Sequence, residues 1–371
     1  MCIEQELKLS GLDKHLIKFA QAGLLIETDP DAARQLLCDD VLLAISHIGL
    51  PDQYNPYRER LNEMAFDPEN FIHYLALVEY ISRFDASGMM AMPGTSLSCR
   101  AVMALGNESQ QEFFFSRYLQ QPVWTFFAVT EPDFGSDAQG ISATLTPEDD
   151  YYLLNGEKMF IGGAQLASVG LVFARMGNSQ RLVMVEPAAH QETFTVTPLD
   201  AYGLAGAGLS RIEMRNLPVR AEHILGLHES GLRQGITAIS TVFEKHRPLV
   251  AAMALGTARG LLTVLEQANV TGLAHEWRQY HALYQKLLQV GEGYQHGDAK
   301  VHLTSQLKRQ ATRFAEQVAL LLPHHLPEQW LTDAALQKRY RDAFAFEYME
   351  GTTNIHRLNA FRSYTASLGA A

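Results

Sequence analysis

The spacing of apolar positions divides the chain into three stretches. Over residues 1–122 apolar side chains recur every three or four positions, as in "NFIHYLALVEYISRF", a period typical of helices. From 123 to 229 short β-rich runs such as "WTFFAVT" and "RLVMVEP" are separated by Gly, Pro, Asn and Asp. The helical period returns over 230–371. The pattern predicts an α+β multidomain fold: an N-terminal helical domain, a small antiparallel β barrel or sandwich, and a C-terminal bundle of the four-helix type.

The last stretch is the most strongly periodic part of the sequence. It predicts helices at 231–268, 274–291, 298–322, 334–348 and 353–367. A β domain placed between two helical domains leaves a cleft at each junction, and cofactors usually bind in such clefts.

Composition narrows the classes of function. The chain has 371 residues, 47% of them hydrophobic, and its 41 acidic and 30 basic residues give a net charge of -11. A net anion is not attracted to nucleic acid or to an anionic membrane. No uninterrupted apolar run of about 18 residues predicts a membrane span, and the N-terminus lacks the apolar core of a signal peptide. We expect a cytoplasmic protein.

Cysteine and histidine usage predicts neither a disulfide framework nor a metal site. Cys2, Cys38 and Cys99 are odd in number and far apart, which suits a reducing compartment. His324 and His325 are adjacent, but no third ligand stands nearby at a suitable spacing.

Two loops in the β-rich stretch have residues suited to binding a cofactor. In "FFAVTEPDFGSDAQG" (126–140), Gly135 and Ser136 could offer backbone N–H groups and a hydroxyl to a pyrophosphate, although an ordinary turn has the same composition. In "NGEKMFIGGAQLASVGLVFAR" (155–175), Phe160 could stack on a planar cofactor or belong to the core.

The stretch "YMEGTTNIHR" (348–357) interrupts a helical pattern with Gly351, directly after Glu350. Packing does not need an acid at such a joint, whereas proton transfer does. A capping or surface acid is the alternative reading.

Four motifs together resemble the acyl-CoA dehydrogenase family in order and spacing. They are "VTEPDFGSD", "LNGEKMFI", "EKHRPLVAAMALGTARG" and "RDAFAFEYMEGTTNIHR", and the resemblance runs from about Leu77 to the end. It implies FAD bound between the β domain and the C-terminal bundle, oxidation of the Cα–Cβ bond of an acyl thioester, and assembly through the bundle into a homodimer or homotetramer.

The resemblance also assigns site residues. Glu350 matches the catalytic glutamate, which removes the α-proton and donates its backbone N–H to the thioester carbonyl while the β-hydrogen leaves as hydride to flavin N5. We expect Thr353 to cap the helix that follows. The expected substrate pocket includes His246, Arg247 and Gly351. His246 stands where some members have an alternative base and could assist a polar substrate, and Arg247 could equally form a surface salt bridge. The expected cofactor-binding residues are Val129, Thr130, Gly135, Ser136, Phe160, Ile161, Gly162, Thr352 and Asn354.

The sequence departs from the family pattern in several places. Gly162 replaces a threonine whose hydroxyl usually bonds the flavin, and Phe160 replaces the usual tryptophan. The Arg-x-x-Phe-Gly segment is missing near 269–277, the Gly-Gly-x-Gly turn near 322–330, and the "YGG" loop from the first 75 residues. These departures favour specialised biosynthesis rather than β-oxidation. By analogy with relatives of that kind, the resemblance implies a short polar acyl group carried on an acyl carrier protein for polyketide or peptide extender units.

A carrier protein is acidic, so its docking would use a local basic patch. The runs "QLKRQATR" and "QKRYR" offer Lys308, Arg309, Arg313, Lys338 and Arg339. The alternatives are an ordinary short- or medium-chain acyl-CoA dehydrogenase, a flavin-free binding or scaffold relative, and an oxygen-using oxidase or monooxygenase.

Overall fold

The computed structural model describes residues 7–64, 66–67, 69–135, 140–227 and 236–369. Its N-terminal part is helical, as the apolar period predicts. Asp39 and Asn70 begin two of these helices, because each side chain accepts two backbone N–H bonds from the first turn. The helices are α1 (Asp13–Leu25), α2 (Pro30–Leu37), α3 (Asp40–Ser46), α4 (Arg58–Glu63), α5 (Phe71–Ala91), α6 (Leu97–Leu105) and α7 (Glu108–Phe115).

A curled sheet follows. Its strands are β1 (Thr125–Ala128), β2 (Thr144–Pro147), β3 (Tyr152–Ile161), β4 (Val169–Met176), β5 (Ser179–Val185), β6 (Phe194–Pro198) and β7 (Ser210–Val219). The order is β1-β4-β2-β3-β7-β6, with β5 on the other edge of β4. The expected antiparallel pairing holds for most of the sheet, but β4 pairs in parallel with β1 and β2. The hairpin of β2 and β3 lies between β1 and β4 in sequence, so the chain re-enters beside β1 in the same direction.

The C-terminal part is the predicted bundle. Its helices are α8 (Ile236–Gln267), α9 (Ala274–Gln295), α10 (Val301–Ala319), α11 (Leu321–His325), α12 (Pro327–Thr332), α13 (Ala334–Ala345) and α14 (Thr353–Gly369). Short helices α11 and α12 occupy the region where the family has a glycine-rich turn. The predicted order of helices, β domain and helices is confirmed.

Helix α8 forms the centre of the molecule. Its segment Lys245–Gln267 is long and apolar enough to cross a membrane, yet 83% of its most apolar window is buried inside the protein, as in a core helix. A Cβ at Gly256 would lie 2.0 Å from the Glu79 carbonyl oxygen of α5. Only glycine therefore permits α5 and α8 to pack this closely.

A buried ion network joins three parts of the fold. Lys338 of α13 is 1% exposed, and its Nζ lies 2.7 Å from both Asp85 and Asp342. Asp85 sits at a kink in α5, where its other oxygen accepts the Gly88 N–H at 2.6 Å. The other oxygen of Asp342 accepts the Leu204 N–H at 2.6 Å, in the loop between β6 and β7. One cation thus fixes α5, α13 and this loop together.

The charges in this network support one another. Burial disfavours the Lys338 cation, but the carboxylates of Asp85 and Asp342 outweigh burial and raise the pKa of Lys338. The ammonium is consequently held charged, and removing it would leave two acids in a dry interior.

The predicted carrier-docking patch is wrong for three of its five residues. Lys308 and Lys338 are 0% and 1% exposed, and Arg339 donates to a backbone carbonyl of α5. Arg309 is half-buried and Arg313 exposed. The basic runs wrap around their helices, so part of each run faces the core.

A second buried titratable group lies at the start of α14. His356 is 1% exposed, and a Cβ on Gly351 would come within 3.6 Å of its Nε2. Burial, together with the nearby cations Lys308 and Arg247, lowers the pKa of His356 to about 3. The imidazole is therefore neutral at neutral pH.

We predict that Lys338→Met lowers the free energy of unfolding by about 3–5 kcal/mol, because two carboxylates lose their buried partner. Urea denaturation followed by circular dichroism measures the change. Lys300→Met is the matched control: Lys300 pairs with Asp298 at 2.7 Å on the surface, with both side chains more than half exposed. The control should stay within about 0.5 kcal/mol of wild type. A Lys338→Met protein as stable as this control would contradict the assigned role.

We predict that His356→Gln reduces the acid sensitivity of the fold. The folded-state pKa of His356, about 3, lies below the ordinary value of 6.5. Below pH 6.5 the unfolded chain therefore takes up a proton that the folded chain refuses, and stability falls as the pH drops towards 3. Between pH 7 and pH 4 the wild-type loss should exceed the loss in His356→Gln by roughly 3 kcal/mol. His47, whose pKa burial lowers to about 4, titrates in both proteins and cancels. Equal losses would refute the assignment.

Candidate active site

Glu350 lies in a strained turn between a 3-10 helix (Phe346–Tyr348) and α14. Its φ is 52°, and that of Gly351 is 101°. Glycine adopts this left-handed region freely, but for glutamate it costs on the order of 1–3 kcal/mol. Neighbouring groups must supply that energy.

Two cations hold the turn by its backbone. The Lys308 ammonium, 0% exposed, donates to the carbonyls of Glu347 at 2.9 Å and Gly351 at 2.8 Å. Arg247 Nε donates to the Glu350 carbonyl at 3.3 Å. Burial lowers the pKa of Lys308 to about 8, although the carboxylates of Glu347 and Glu350 oppose the shift. The carbonyl of Glu350 and both carbonyls that Lys308 binds are thereby fixed.

The start of α14 differs from the expectation that Thr353 is its N-cap. Thr353 is the first helical residue, and the Thr352 carbonyl accepts the His356 N–H at 3.1 Å. The Glu347 carboxylate does the capping instead, because it accepts the Thr353 N–H at 2.6 Å and its hydroxyl at 2.8 Å. Two acids three positions apart thus have different tasks.

The Glu350 carboxylate is bonded through one oxygen only. Oε1 lies 3.1 Å from His246 Nδ1, whereas Oε2 is buried and has no hydrogen-bond partner among the described residues. The Glu350 side chain is 9% exposed and that of His246 is 22% exposed. Within the described ranges no group accepts the Glu350 backbone N–H. This residue can accept a proton and donate a hydrogen bond to one substrate.

A buried ion pair shapes the loop after β1. Lys158 and Glu131 are 2.8 Å apart, with side chains 0% and 1% exposed. Lys158 also donates to the Val129 carbonyl at 3.1 Å. Glu131 accepts the N–H and hydroxyl of Ser142, each at 2.6 Å, and the Ala143 N–H at 3.0 Å. The pair folds the loop back onto the sheet.

Glu131 and Lys158 have no role in the sequence prediction. Glu131 stands in "VTEPDFGSD" with Asp133 and Asp137, and Lys158 stands in "LNGEKMFI" directly after Glu157, so nothing in the sequence marks these two charges as partners. Thr130, which was expected at the cofactor, accepts the Met159 N–H through its carbonyl at 2.9 Å.

Phe160 presents its ring outwards. It is 60% exposed with φ of 60°, at an irregularity in β3 between Lys158 and the buried Ile161. A Cβ at Gly162 would lie 3.1 Å from the Ala207 carbonyl oxygen, so the space that a threonine would need is restricted. A side chain at 162 would therefore press against the Ala207 carbonyl.

These residues fit the cofactor that the family motifs imply. Phe160 offers a solvent-facing aromatic surface, and Val129 is buried at the end of β1. Nothing lies within 4 Å of a Cβ placed on Gly135, so its backbone can approach an anion. Ser136 lies outside the described residues. Thr352 is half-buried and Asn354 exposed at the start of α14.

The structure brings the predicted residues together in two groups. Glu350, Gly351, His246 and Arg247 form the first group; the residues of the loop after β1 and the end of β3 form the second. In the described part of the chain no hydrogen bond or ion pair joins the groups. Helix α8 joins them by packing: Val242 shares a buried cluster with Val129, and Phe243 contacts Phe127 edge-on, with ring centroids 5.9 Å apart. His246 follows Val242 one helical turn later.

In the described ranges no group of three or more His, Cys, Asp or Glu side chains is placed to hold a metal ion. Cys38 is exposed and Cys99 buried, and both are free thiols.

Comparison with known proteins gives consistent matches. The acyl-CoA dehydrogenase middle-domain model matches residues 126–217, and the C-terminal-domain model matches 233–365. A 3-(aryl)acrylate reductase of Clostridium sporogenes is 27% identical over 309 residues, which span 77% of this chain and 80% of that protein.

Solved structures share the fold. Butyryl-CoA dehydrogenase of Megasphaera elsdenii superposes with a TM-score of 0.79 at 21% identity and covers 98% of both chains. A prolyl acyl carrier protein oxidase superposes with a TM-score of 0.77 at 20% identity, over 96% of this chain and 98% of its own. The two family models together match more than half of the chain, which therefore belongs to the acyl-CoA dehydrogenase family of FAD-binding oxidoreductases.

Proposed function

We propose that this protein oxidises an acyl thioester with FAD and that Glu350 is the base that removes the α-proton. One observation carries the proposal. At a strained turn, a single residue combines a buried, unbonded Oε2 with a backbone N–H that no described group accepts. A carboxylate oxygen and an N–H donor are the two groups that thioester enolisation needs side by side.

The backbone N–H of Glu350 stabilises the charge that develops during the reaction. As the α-proton moves to Oε2, negative charge accumulates on the thioester oxygen, and a fixed N–H donor lowers the energy of that state. The donor stays in place because Arg247 holds the Glu350 carbonyl and Lys308 holds the carbonyls on either side. The left-handed backbone of Glu350 thus places its carboxylate and its backbone N–H side by side.

When bound, FAD supplies the acceptor for the β-hydrogen, which leaves as hydride. Phe160 would pack against its ring system, with Ile161 and Gly162 beside it, and the loop of Val129 and Thr130 would face the cofactor. Gly135 and Ser136 are proposed at the pyrophosphate. Thr352 and Asn354 are proposed beside the cofactor at the start of α14. The buried Lys158–Glu131 pair fixes the loop for this purpose.

The acyl group of the substrate is bound as a thioester to a carrier. We propose a short α-hydroxy- or α-aminoacyl group on an acyl carrier protein, in extender-unit biosynthesis. The superposable prolyl acyl carrier protein oxidase supports a carrier-bound substrate on this fold. The cationic surface that remains consists of Arg309 and Arg313, which line a groove of about 280 Å³ between α9 and α10 together with Lys286. An acidic carrier helix is complementary to these charges.

We further propose that the protein is at least a homodimer, assembled through the C-terminal bundle. Light scattering at micromolar concentration would show the 41.4 kDa monomer if this proposal is wrong.

We predict that Glu350→Gln still binds FAD. When substrate is added without oxygen, its flavin absorbance should bleach at least about 100-fold more slowly than that of the wild type, because the amide cannot accept the α-proton. Stopped-flow absorbance measures the rate. Glu347→Gln is the control: this nearby acid only caps α14, so its loss should cost about 1 kcal/mol of stability and leave bleaching within about tenfold. Bleaching by Glu350→Gln at the wild-type rate would refute Glu350 as the base.

We predict that a short α-hydroxy- or α-aminoacyl group bleaches the flavin when it is tethered to a carrier protein, and that butyryl-CoA does so poorly. Arg313→Glu should raise KM for the carrier-bound substrate by about tenfold or more, since it reverses a charge on the docking surface. Arg215→Glu, at a 79% exposed side chain in the middle of β7, is the matched control and should change neither kcat nor KM. Rapid bleaching by butyryl-CoA and none by carrier-bound substrates would show that the protein is an ordinary acyl-CoA dehydrogenase.

A further inference from the structure

We propose that His246 orients Glu350 and relays the abstracted proton to solvent. The inference rests on the proposed role of Glu350 and adds a second residue to the proton path. Its basis is the 3.1 Å contact between His246 Nδ1 and Glu350 Oε1, opposite a buried Oε2 without a described partner.

The contact gives the two oxygens of the Glu350 carboxylate different roles. Oε1 is engaged by His246, so Oε2 is the oxygen available to the substrate. A carboxylate held at one oxygen loses rotational freedom and presents the other in a fixed direction. His246 lies on α8, one turn after Val242, which packs into the buried cluster of the β domain. The imidazole is therefore placed by the central helix of the molecule.

After abstraction, the proton must leave Glu350 before another turnover. The carboxylate is 9% exposed, whereas His246 is 22% exposed and is the more accessible of the pair. Rotation of the protonated carboxyl group about Cγ–Cδ exchanges its two oxygens and brings the O–H to Nδ1. In the resting site Nδ1–H donates to the carboxylate Oε1, so the neutral ring first exchanges with water to the tautomer that carries its proton on Nε2. The bare Nδ1 then accepts the O–H proton and Nε2 releases its own to water, which restores the Nδ1–H tautomer and the Glu350 carboxylate.

The other basic groups near Glu350 are poor candidates for this relay. Arg247 stays protonated and donates to the Glu350 carbonyl, so it cannot accept a proton. The Lys308 ammonium donates to two carbonyls and is 0% exposed. His356 is 1% exposed and does not bond the Glu350 carboxylate, whose Oε1 bonds His246 and whose Oε2 has no hydrogen-bond partner among the described residues. Of these four groups His246 combines contact with the carboxylate and access to solvent.

The test separates proton exchange from oxidation. The holoenzyme is incubated in D₂O with a 3-thiaacyl thioester of the acyl carrier protein, in which sulfur replaces the β-carbon and no hydride can leave. Mass spectrometry then measures deuterium uptake at the α-carbon. In parallel, stopped-flow absorbance measures single-turnover bleaching by an oxidisable substrate. His246→Asn keeps an amide N–H near Nδ1 to hold Oε1 but cannot pass a proton on.

For His246→Asn we expect α-deuteration to slow by at least about tenfold more than bleaching does, because the abstracted proton returns to the same carbon instead of exchanging. In His246→Ala, both rates should fall, and added imidazole should restore deuteration.

Two results would overturn the relay. Wild-type deuteration in His246→Asn would show that the proton leaves by another route. Equal losses of bleaching and deuteration in His246→Asn, without imidazole rescue in His246→Ala, would leave His246 only a positioning role. Glu350→Gln reports separately on the base: if it still deuterates the thioester at the wild-type rate, the proposed function fails, whatever His246 does.

Discussion

The arrangement of this protein depends on one buried cation placed between two acids. Lys338 lies 2.7 Å from Asp85 in α5 and from Asp342 in its own helix, and Asp342 also holds the loop before β7. Through these bonds the N-terminal helices, the β domain and the bundle are joined by one buried polar network. Its geometry matters for the site because Asp342 stands eight residues before Glu350, on the helix that leads into the strained turn. Fixing α13 fixes where that turn begins.

Two further buried lysines hold oxygen atoms in the same way near the proposed active site. Lys308 is buried beneath the turn and binds two backbone carbonyls, and Lys158 is buried beneath the loop after β1, bound to Glu131 and to the Val129 carbonyl. In each case an ammonium group supplies several donors to backbone or carboxylate oxygens that water cannot reach. Three buried lysines thus support the domain junction, the proposed base and the proposed cofactor loop. The left-handed backbone of Glu350 is tolerated because hydrogen bonds from Lys308 and Arg247 hold the carbonyls of this turn in place.

The sequence could predict the order of elements and the residues of the proposed chemistry, because periodicity and short motifs are local properties. It could not predict that β4 runs parallel to β1, since that pairing joins segments separated by a hairpin. The basic runs predict a charged surface, but Lys308 lies on the same helix face as Thr304 and Thr312, four positions away on each side, and all three are buried. The Glu131–Lys158 pair joins two motifs 27 residues apart, and the neighbouring acids Asp133 and Glu157 leave the sequence without a reason to single out these two charges. The contact between His246 and Glu350 spans 104 residues and requires the packed bundle.

The central claim is that Oε2 of Glu350 faces the α-carbon of the substrate, and a crystal structure with FAD and a 3-thiaacyl thioester bound tests it most directly. The account predicts Oε2 within about 3.5 Å of the α-carbon, the thioester oxygen on the Glu350 N–H, and His246 still on Oε1. A bound thioester whose α-carbon faces away from Glu350, or a Glu350 side chain turned out of the pocket with another base in its place, would contradict it.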